Sequence, residues 1–195
     1  FILELGNGFR SWAESKKIHF TMDITVAKYP VYFDSVKVEK IVYNLLSNAF
    51  KYTEPQGEVK LSAGYFLENG VKMLRILVED TGRGISEKNL HKIFEKYYQI
   101  SDHDKNSGFG IGLNLVKQLV ASHKGRIDVK SEIGKGSKFT VVLNVDGKSY
   151  EDHEKSESKF DNEQIVSYQY LVPDVLENEL INPVASQAVD NHHKS

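Results

Sequence analysis

Asn44, Asn48 and Lys51 are polar residues on an otherwise apolar helical pattern, in the stretch Asn44–Thr53 that reads NLLSNAFKYT. At about 100° per residue they fall within roughly 60° of one another. Val38, Ile41, Val42, Leu45, Leu46 and Ala49 fill a separate apolar arc. Asparagine costs roughly 0.7 kcal/mol against alanine inside a helix, so glutamate or lysine would suit a merely wet face better. An asparagine oxygen is a neutral hard ligand that suits Mg²⁺. A lysine ammonium is a point charge for phosphate, and the ring of Tyr52 can stack on a base. The competing reading is an ordinary amphipathic helix with a solvated polar face. The paired asparagines weigh against it.

Two glycine clusters carry further chemistry. Asp80-Thr81-Gly82-Arg83-Gly84 follows a strand pattern and precedes a helix pattern. Its glycines permit close backbone approach, and Asp80 at a strand end is an acceptor for a donor such as an adenine amino group. A plain strand-to-helix turn is the alternative. Gly108-Phe109-Gly110-Ile111-Gly112-Leu113 opens a helix, where successive N–H groups at the positive helix end favour an anion. It is not a dinucleotide fingerprint, because no strand runs directly into it. It is not a Walker loop, because no Gly-Lys-Ser/Thr follows.

These groups need a scaffold, and the pattern supplies one. A short helix is expected within residues 3–15, weakened by Gly6 and Gly8, and strands over Ile18–Ile24 and Val31–Phe33. Asp34 or Ser35 can cap the asparagine helix. Glu58–Phe66 and Met73–Glu79 flank Glu68-Asn69-Gly70 as a hairpin. A helix over Ser86–Phe94, a mobile loop over Ser101–Gly108, a helix over Ile111–His123 and a strand pair Arg126–Lys130 and Lys138–Val145 complete the order. The expected fold is α+β, a two-layer α/β sandwich with a mixed sheet of about five strands and helices on one face.

The 195 residues are 40% hydrophobic and 27% charged, ordinary for a globular protein. Cysteine is absent, which excludes disulfides and thiolate-bound metals. No apolar run is long enough to span a bilayer, so no membrane contact is expected of this stretch. The opening FILELGNGFRSW is expected to lie inside a longer protein. The net charge of −2 conceals a split: residues 148–195 hold ten acidic and four basic side chains, which leaves the preceding body at +4. That excess suits an anionic ligand but is too small to argue for nucleic acid. Residues 148–195 are expected to be an acidic linker or tail beyond a domain spanning 1–147.

The chain resembles the ATP-binding catalytic domain of sensor histidine kinases, within the gyrase/chaperone/histidine kinase/MutL ATPase superfamily. The similarity runs from about residue 4 to residue 146. NLLSNAFKYT matches the asparagine box, VEDTGRGI the first glycine box, KIFEKYYQ the phenylalanine box, GFGIGLNLVKQLV the second glycine box and GKGSKFTVVL the terminal strand pair. The resemblance implies the Bergerat-type fold, ATP and Mg²⁺ as ligands, and a mobile ATP lid over about Gln99–Gly108. It implies that Asn48 ligates Mg²⁺ with Asn44 in support, that Lys51 meets the phosphates and that Tyr52 borders the adenine. Asp80 would accept from the adenine amino group, with Gly82, Gly84 and Ile85 shaping that pocket. Gly108, Phe109, Gly110, Ile111, Gly112 and Leu113 would line the phosphate side. Phe109 departs from the small hydroxyl residue common in the family. Gln99 stands where some members have arginine, which leaves Lys105 as a candidate charge.

The ATPase branch of the superfamily carries a carboxylate base one turn before the metal asparagine. Here that position is Asn44, which cannot be a base. The resemblance therefore implies phosphoryl transfer to a histidine on a dimerisation domain outside this chain, with a response regulator receiver domain as the later partner. None of the seven histidines has the family's acceptor context. A non-catalytic nucleotide-binding scaffold is the alternative, with a superfamily ATPase behind it. A cytoplasmic domain is expected, its parent open to anchoring in the inner membrane, with a receiver domain a candidate continuation of the tail.

Overall fold

The computed structural model describes residues 1–99 and 110–150, all within one compact unit. Strand alternation decides its layering. Val59, Leu61 and Ala63 of β2 (Glu58–Glu68), Leu74, Ile76 and Val78 of β3 (Val71–Asp80), and Phe139, Val141 and Leu143 of β5 (Gly136–Asn144) are all buried and share one face. With β1 (His19–Ile24) and β4 (Arg126–Glu132) these strands form a five-stranded mixed sheet in the order β1-β2-β3-β5-β4. β1 pairs parallel with β2 and every other pairing is antiparallel. A parallel pair needs a crossover, and α3 (Ser35–Tyr52) lies within it. Asn69 and Gly70 close the β2–β3 hairpin, both with positive φ, as a type I′ turn requires.

The apolar face is covered by α3 and by α5 (Gly112–Ser122). Val38, Ile41, Val42, Leu45, Leu46 and Ala49 are buried, which is the arc read from the sequence. Asp34 caps α3 by accepting from the Lys37 N–H at 3.0 Å. At the other end the Thr53 hydroxyl donates to the Ala49 carbonyl at 2.7 Å.

Three sequence expectations are corrected. Residues 3–15 form two helices, α1 (Ile2–Asn7) and α2 (Arg10–Lys16), because Phe9 between them turns into the core and stacks on Phe50 at 5.7 Å. Val31–Phe33 is not a strand. Tyr32 alone bonds across, to the Val145 carbonyl at 2.9 Å, while Val31 and Phe33 pack on the core. The helix expected over Ser86–Phe94 is the short α4 (Glu87–Leu90), after which the chain turns to bury Ile93. The region of the expected lid, with Lys105, Gly108 and Phe109, lies outside the described residues apart from Gln99.

The opposite face of the sheet mixes charged side chains with the buried Met73 and Val142. Lys138 pairs with Glu79 at 2.9 Å, and Arg126 at the start of β4 reaches Glu68 at the end of β2 through two bonds of 2.8 and 2.6 Å. That fork crosses β3 and β5 and ties four strands together.

His123 joins the two main helices at the end remote from Asn48. It is buried; its Nδ1 lies 2.9 Å from the Leu119 carbonyl, and its Nε2 accepts from the Asp34 N–H at 3.3 Å. Both bonds fit a neutral ring protonated on Nδ1. Burial lowers its pKa, Lys37 nearby adds to that, and the Leu119 carbonyl and Asp34 oppose it. The neutral ring is the form the fold prefers, so its contribution is complete above the ordinary histidine value of 6.5 and is lost as pH falls below it towards the depressed folded value. Thermal melts from pH 7.5 to 5.5 are expected to show falling stability, with a shallower slope in His123→Gln. Parallel slopes would show that His123 does not carry the effect.

Candidate functional site

The last turns of α3 present the polar stripe to one end of the sheet. Asn48 is half-buried, and its amide makes no hydrogen bond to a described residue. Asn44, one turn earlier, is buried, with its Nδ2 donating to the Lys40 carbonyl at 2.7 Å. Its Oδ1 lies against the first residue of α5, where a Cβ on Gly112 would sit 2.5 Å from it. The two asparagines thus differ: Asn44 is buried between α3 and α5, and Asn48 is half-buried. The Tyr52 ring has the Lys51 ammonium 5.2 Å from its centroid and the Arg83 guanidinium at 4.4 Å, both within cation–π range.

Asp80 ends β3 and continues its inward row after Ile76 and Val78. A hydrophobic row that ends in a carboxylate puts that carboxylate at the edge of the core. Burial accordingly raises its pKa, against the Gly82 and Ser137 backbone N–H groups, which favour the anion. The Gly82 N–H donates to Oδ1 at 2.9 Å. Gly82 is buried beneath the end of α3, where a Cβ would collide with the Tyr52 carbonyl oxygen. The Arg83 N–H donates to that same carbonyl at 3.2 Å. The segment 80–85 is therefore strapped to α3 on one side. On the other, Gly84 lies against Glu132, and the Ile85 N–H donates to the Ser131 hydroxyl at 2.8 Å.

The start of α5 closes the arrangement. Gly110 accepts from the Tyr97 N–H at 3.0 Å, and Asn114 donates to the Phe94 carbonyl at 2.9 Å. Ile111 precedes the helix, and Leu113, like Ile85, packs on the core. The structure thus gathers Asn44, Asn48, Lys51, Tyr52, Asp80, Gly82, Gly84, Ile85, Gly110, Ile111, Gly112 and Leu113 into three neighbouring segments. It also adds Arg83, Ser131 and Ser137, which the sequence reading passed over. Arg83 sat inside a quoted motif, but only its place over Tyr52 distinguishes it. The two serines are ordinary strand residues in sequence.

The donor set tests the fit of a magnesium–nucleotide pair. Among the described residues no group of three or more His, Cys, Asp or Glu could hold a metal. A metal here would rest on an asparagine oxygen and on the ligand's own phosphates, which suits Mg²⁺. The Asn48 amide meets that need, and the Asp80 carboxylate is an acceptor at the edge of an apolar layer.

A mixed sheet with helices over one face, an asparagine helix and a part-buried strand-end carboxylate define an ATPase-type α/β sandwich. The profile described as "Histidine kinase-, DNA gyrase B-, and HSP90-like ATPase" matches residues 33–147, and the chain belongs to that family. Within it the chain is similar to sensor histidine kinases. It is 36% identical over 132 residues to the adaptive-response sensory kinase SasA of Synechococcus sp. (strain JA-2-3B'a(2-13)), which covers 68% of this chain and 34% of that protein. It is 37% identical over 149 residues to the aerobic respiration control sensor protein ArcB of Escherichia coli K12, covering 74% and 19% respectively. Full-length ShkA, solved in complex with AMPPNP, superposes with a TM-score of 0.64 at 27% identity, over 74% of this chain and 29% of that one. The catalytic domain of histidine kinase ThkA shares the fold, with a TM-score of 0.63 at 21% identity, over 74% of this chain and 92% of that one. The chain spans about a third or less of the length of the curated relatives it matches. No helix among the described residues is long and apolar enough to cross a membrane.

Proposed function

We propose that this chain is the ATP-binding catalytic domain of a two-component sensor histidine kinase. It binds Mg–ATP and presents the γ-phosphate to a histidine on a dimerisation domain outside the chain. The observation that carries the reading is the convergence of a half-buried asparagine amide, Asn48, and a strand-end carboxylate, Asp80, on one end of a sheet whose relatives are sensor kinases.

Asp80 accepts from the adenine amino group, and the Gly82 N–H holds the carboxylate in place. Tyr52 borders the base. Asn48 holds Mg²⁺, and Lys51 meets the phosphates as a point charge. Asn44 fixes the distance between α3 and the start of α5, so that Gly110 and Gly112 offer backbone near the phosphates. ATP supplies the transferable phosphoryl group when bound, and the protein's part is positioning and charge neutralisation. No carboxylate base stands one turn before Asn48, which favours an external nucleophile over water. The domain spans residues 1–147, and 148–195 is an acidic linker or tail. A receiver domain of a response regulator accepts the phosphate afterwards, and the domain works on the cytoplasmic side.

Calorimetric titration of ATP with and without Mg²⁺ tests the reading. The wild type is expected to bind more tightly with Mg²⁺. Asn48→Ala is expected to lose roughly tenfold in affinity, as for one hydrogen bond to a charged group, and most of the magnesium dependence. Wild-type binding indifferent to Mg²⁺ would remove Asn48 from the metal, and absence of ATP binding would overturn the kinase reading.

A further inference from the structure

We propose that Ser131 is a positioning residue for recognition of the nucleotide base, acting through the segment that carries Asp80. The proposal rests on the reading of Asp80 as the acceptor for adenine. Ser131 continues the inward row of β4 after Ile127 and Val129, at the strand end beside Ser137 of β5. A serine in that row has no apolar partner to meet. Its hydroxyl is instead fully engaged. It accepts from the Ile85 N–H at 2.8 Å and donates to the Gly136 carbonyl at 2.7 Å. Since that uses its one proton, the 3.0 Å contact with the Ser137 hydroxyl has Ser137 as donor.

The three bonds link separate parts of one pocket wall. Ile85 ends the segment that begins at Asp80. Gly136 lies against the Asp80 carbonyl, where a Cβ would collide. Ser137 is the register partner of Asp80 across β3 and β5. The Asp80 side chain is thus held from its own end by the Gly82 N–H and from the neighbouring strand by the Ser137 N–H, while the Ser131 hydroxyl ties Ile85 and Gly136 on either side of it. Without the Ser131 hydroxyl, the Ile85 N–H and the Gly136 carbonyl lose partners in a part-buried place, and an unmade bond of that kind is costly. The segment 80–85 then shifts relative to β5, and the carboxylate with it. The phosphate end of the site, on α3 and α5, is tied down by other bonds and stays where it is.

That separation makes the test specific. Ser131→Ala is expected to weaken Mg–ATP binding roughly tenfold, about the effect of one such hydrogen bond, and to leave the affinity for base-free Mg–tripolyphosphate unchanged. The Ile85 amide is expected to lose protection from hydrogen exchange in the free protein. Ser131→Thr, which keeps the hydroxyl, is expected to restore ATP binding. If the alanine variant does not fold, Ser131→Cys, with a weak acceptor in the same volume, is expected to weaken ATP selectively. Unchanged ATP affinity, or an equal loss for ATP and tripolyphosphate, would overturn the proposal. A wild type that binds ATP no better than tripolyphosphate would instead overturn the adenine reading of Asp80.

Discussion

Asp80→Asn is expected to reduce ATP affinity by about 100-fold, the upper range for a hydrogen bond to a charged group, while leaving the free protein at least as stable as the wild type. The first half follows from polarity. An amide in that place offers a donor edge as well as an acceptor edge, and the Gly82 N–H already claims an acceptor. The second half follows from burial. The carboxyl is pushed above the usual aspartate range chiefly by desolvation, with the Gly82 and Ser137 N–H groups compensating only in part. A folded-state pKa above the unfolded value means that the folded protein holds the proton more tightly. The cost is therefore absent in acid, where both states are protonated. It grows as pH rises past the ordinary aspartate range and is complete above the folded value. At neutral pH the wild type carries that cost and the asparagine variant does not. Melts of both proteins at pH 7 without nucleotide, beside a calorimetric titration of ATP, check the pair of outcomes. A variant that lost binding together with several degrees of melting temperature would make Asp80 a structural residue, and one that bound ATP normally would end its role in base recognition.

Phe50→Ala is expected to cost about 3–5 kcal/mol, the range for emptying a buried aromatic site. Phe50 is wholly buried near the end of α3, with Phe9, Trp12 and Phe20 at 5.7, 5.4 and 5.2 Å. Its carbonyl also accepts from Lys16 of α2 at 3.0 Å. The ring is therefore where α2 with its preceding Phe9, β1 and α3 meet. Against a total stability of roughly 5–15 kcal/mol for a domain, the loss is large, and a fall of roughly 10 °C in melting temperature is expected. Phe50→Leu, which refills most of the volume, is expected to lose about half as much or less. Urea unfolding of the three proteins measures this. A Phe50→Ala variant within 1 kcal/mol of wild type, on the order of a surface change, would show that the N-terminal helices do not depend on the ring.

Much of this was legible in the chain because it is local. The apolar arc of α3, the cap at Asp34 and the hairpin turn at Asn69-Gly70 each depend on residues a few positions apart, and periodicity and turn chemistry report such features directly. The family resemblance of the five boxes extended that to the whole domain. What escaped was set by residues distant in sequence. Gly112 reads as a phosphate-binding glycine, yet its lack of a side chain first makes room for Asn44. Asn44 reads as a support for Asn48, and its burial against Gly112 depends on the approach of α5. Val31–Phe33 has the composition of a strand, but a single bond to Val145 takes the place of a ladder. His123 reads as a helix-end histidine, and its bond to Asp34 depends on α5 running back along α3.

The partnership of Asp80 with Ser137 across β3 and β5 has a consequence for the life of the chain. The hairpin that ends in Asp80 can close by itself, within microseconds for hairpins in general, but its neighbouring strand arrives from far along the sequence. Until it docks, the carboxylate has no wall beside it and the pocket does not exist. On the proposed reading nucleotide binds only the completed domain, and by mass action it would draw the population towards that state, by about 2.7 kcal/mol at a hundredfold excess over Kd. On that reading the ligand would also be a measure of the domain's own assembly, since chains short of β5 would receive no such support.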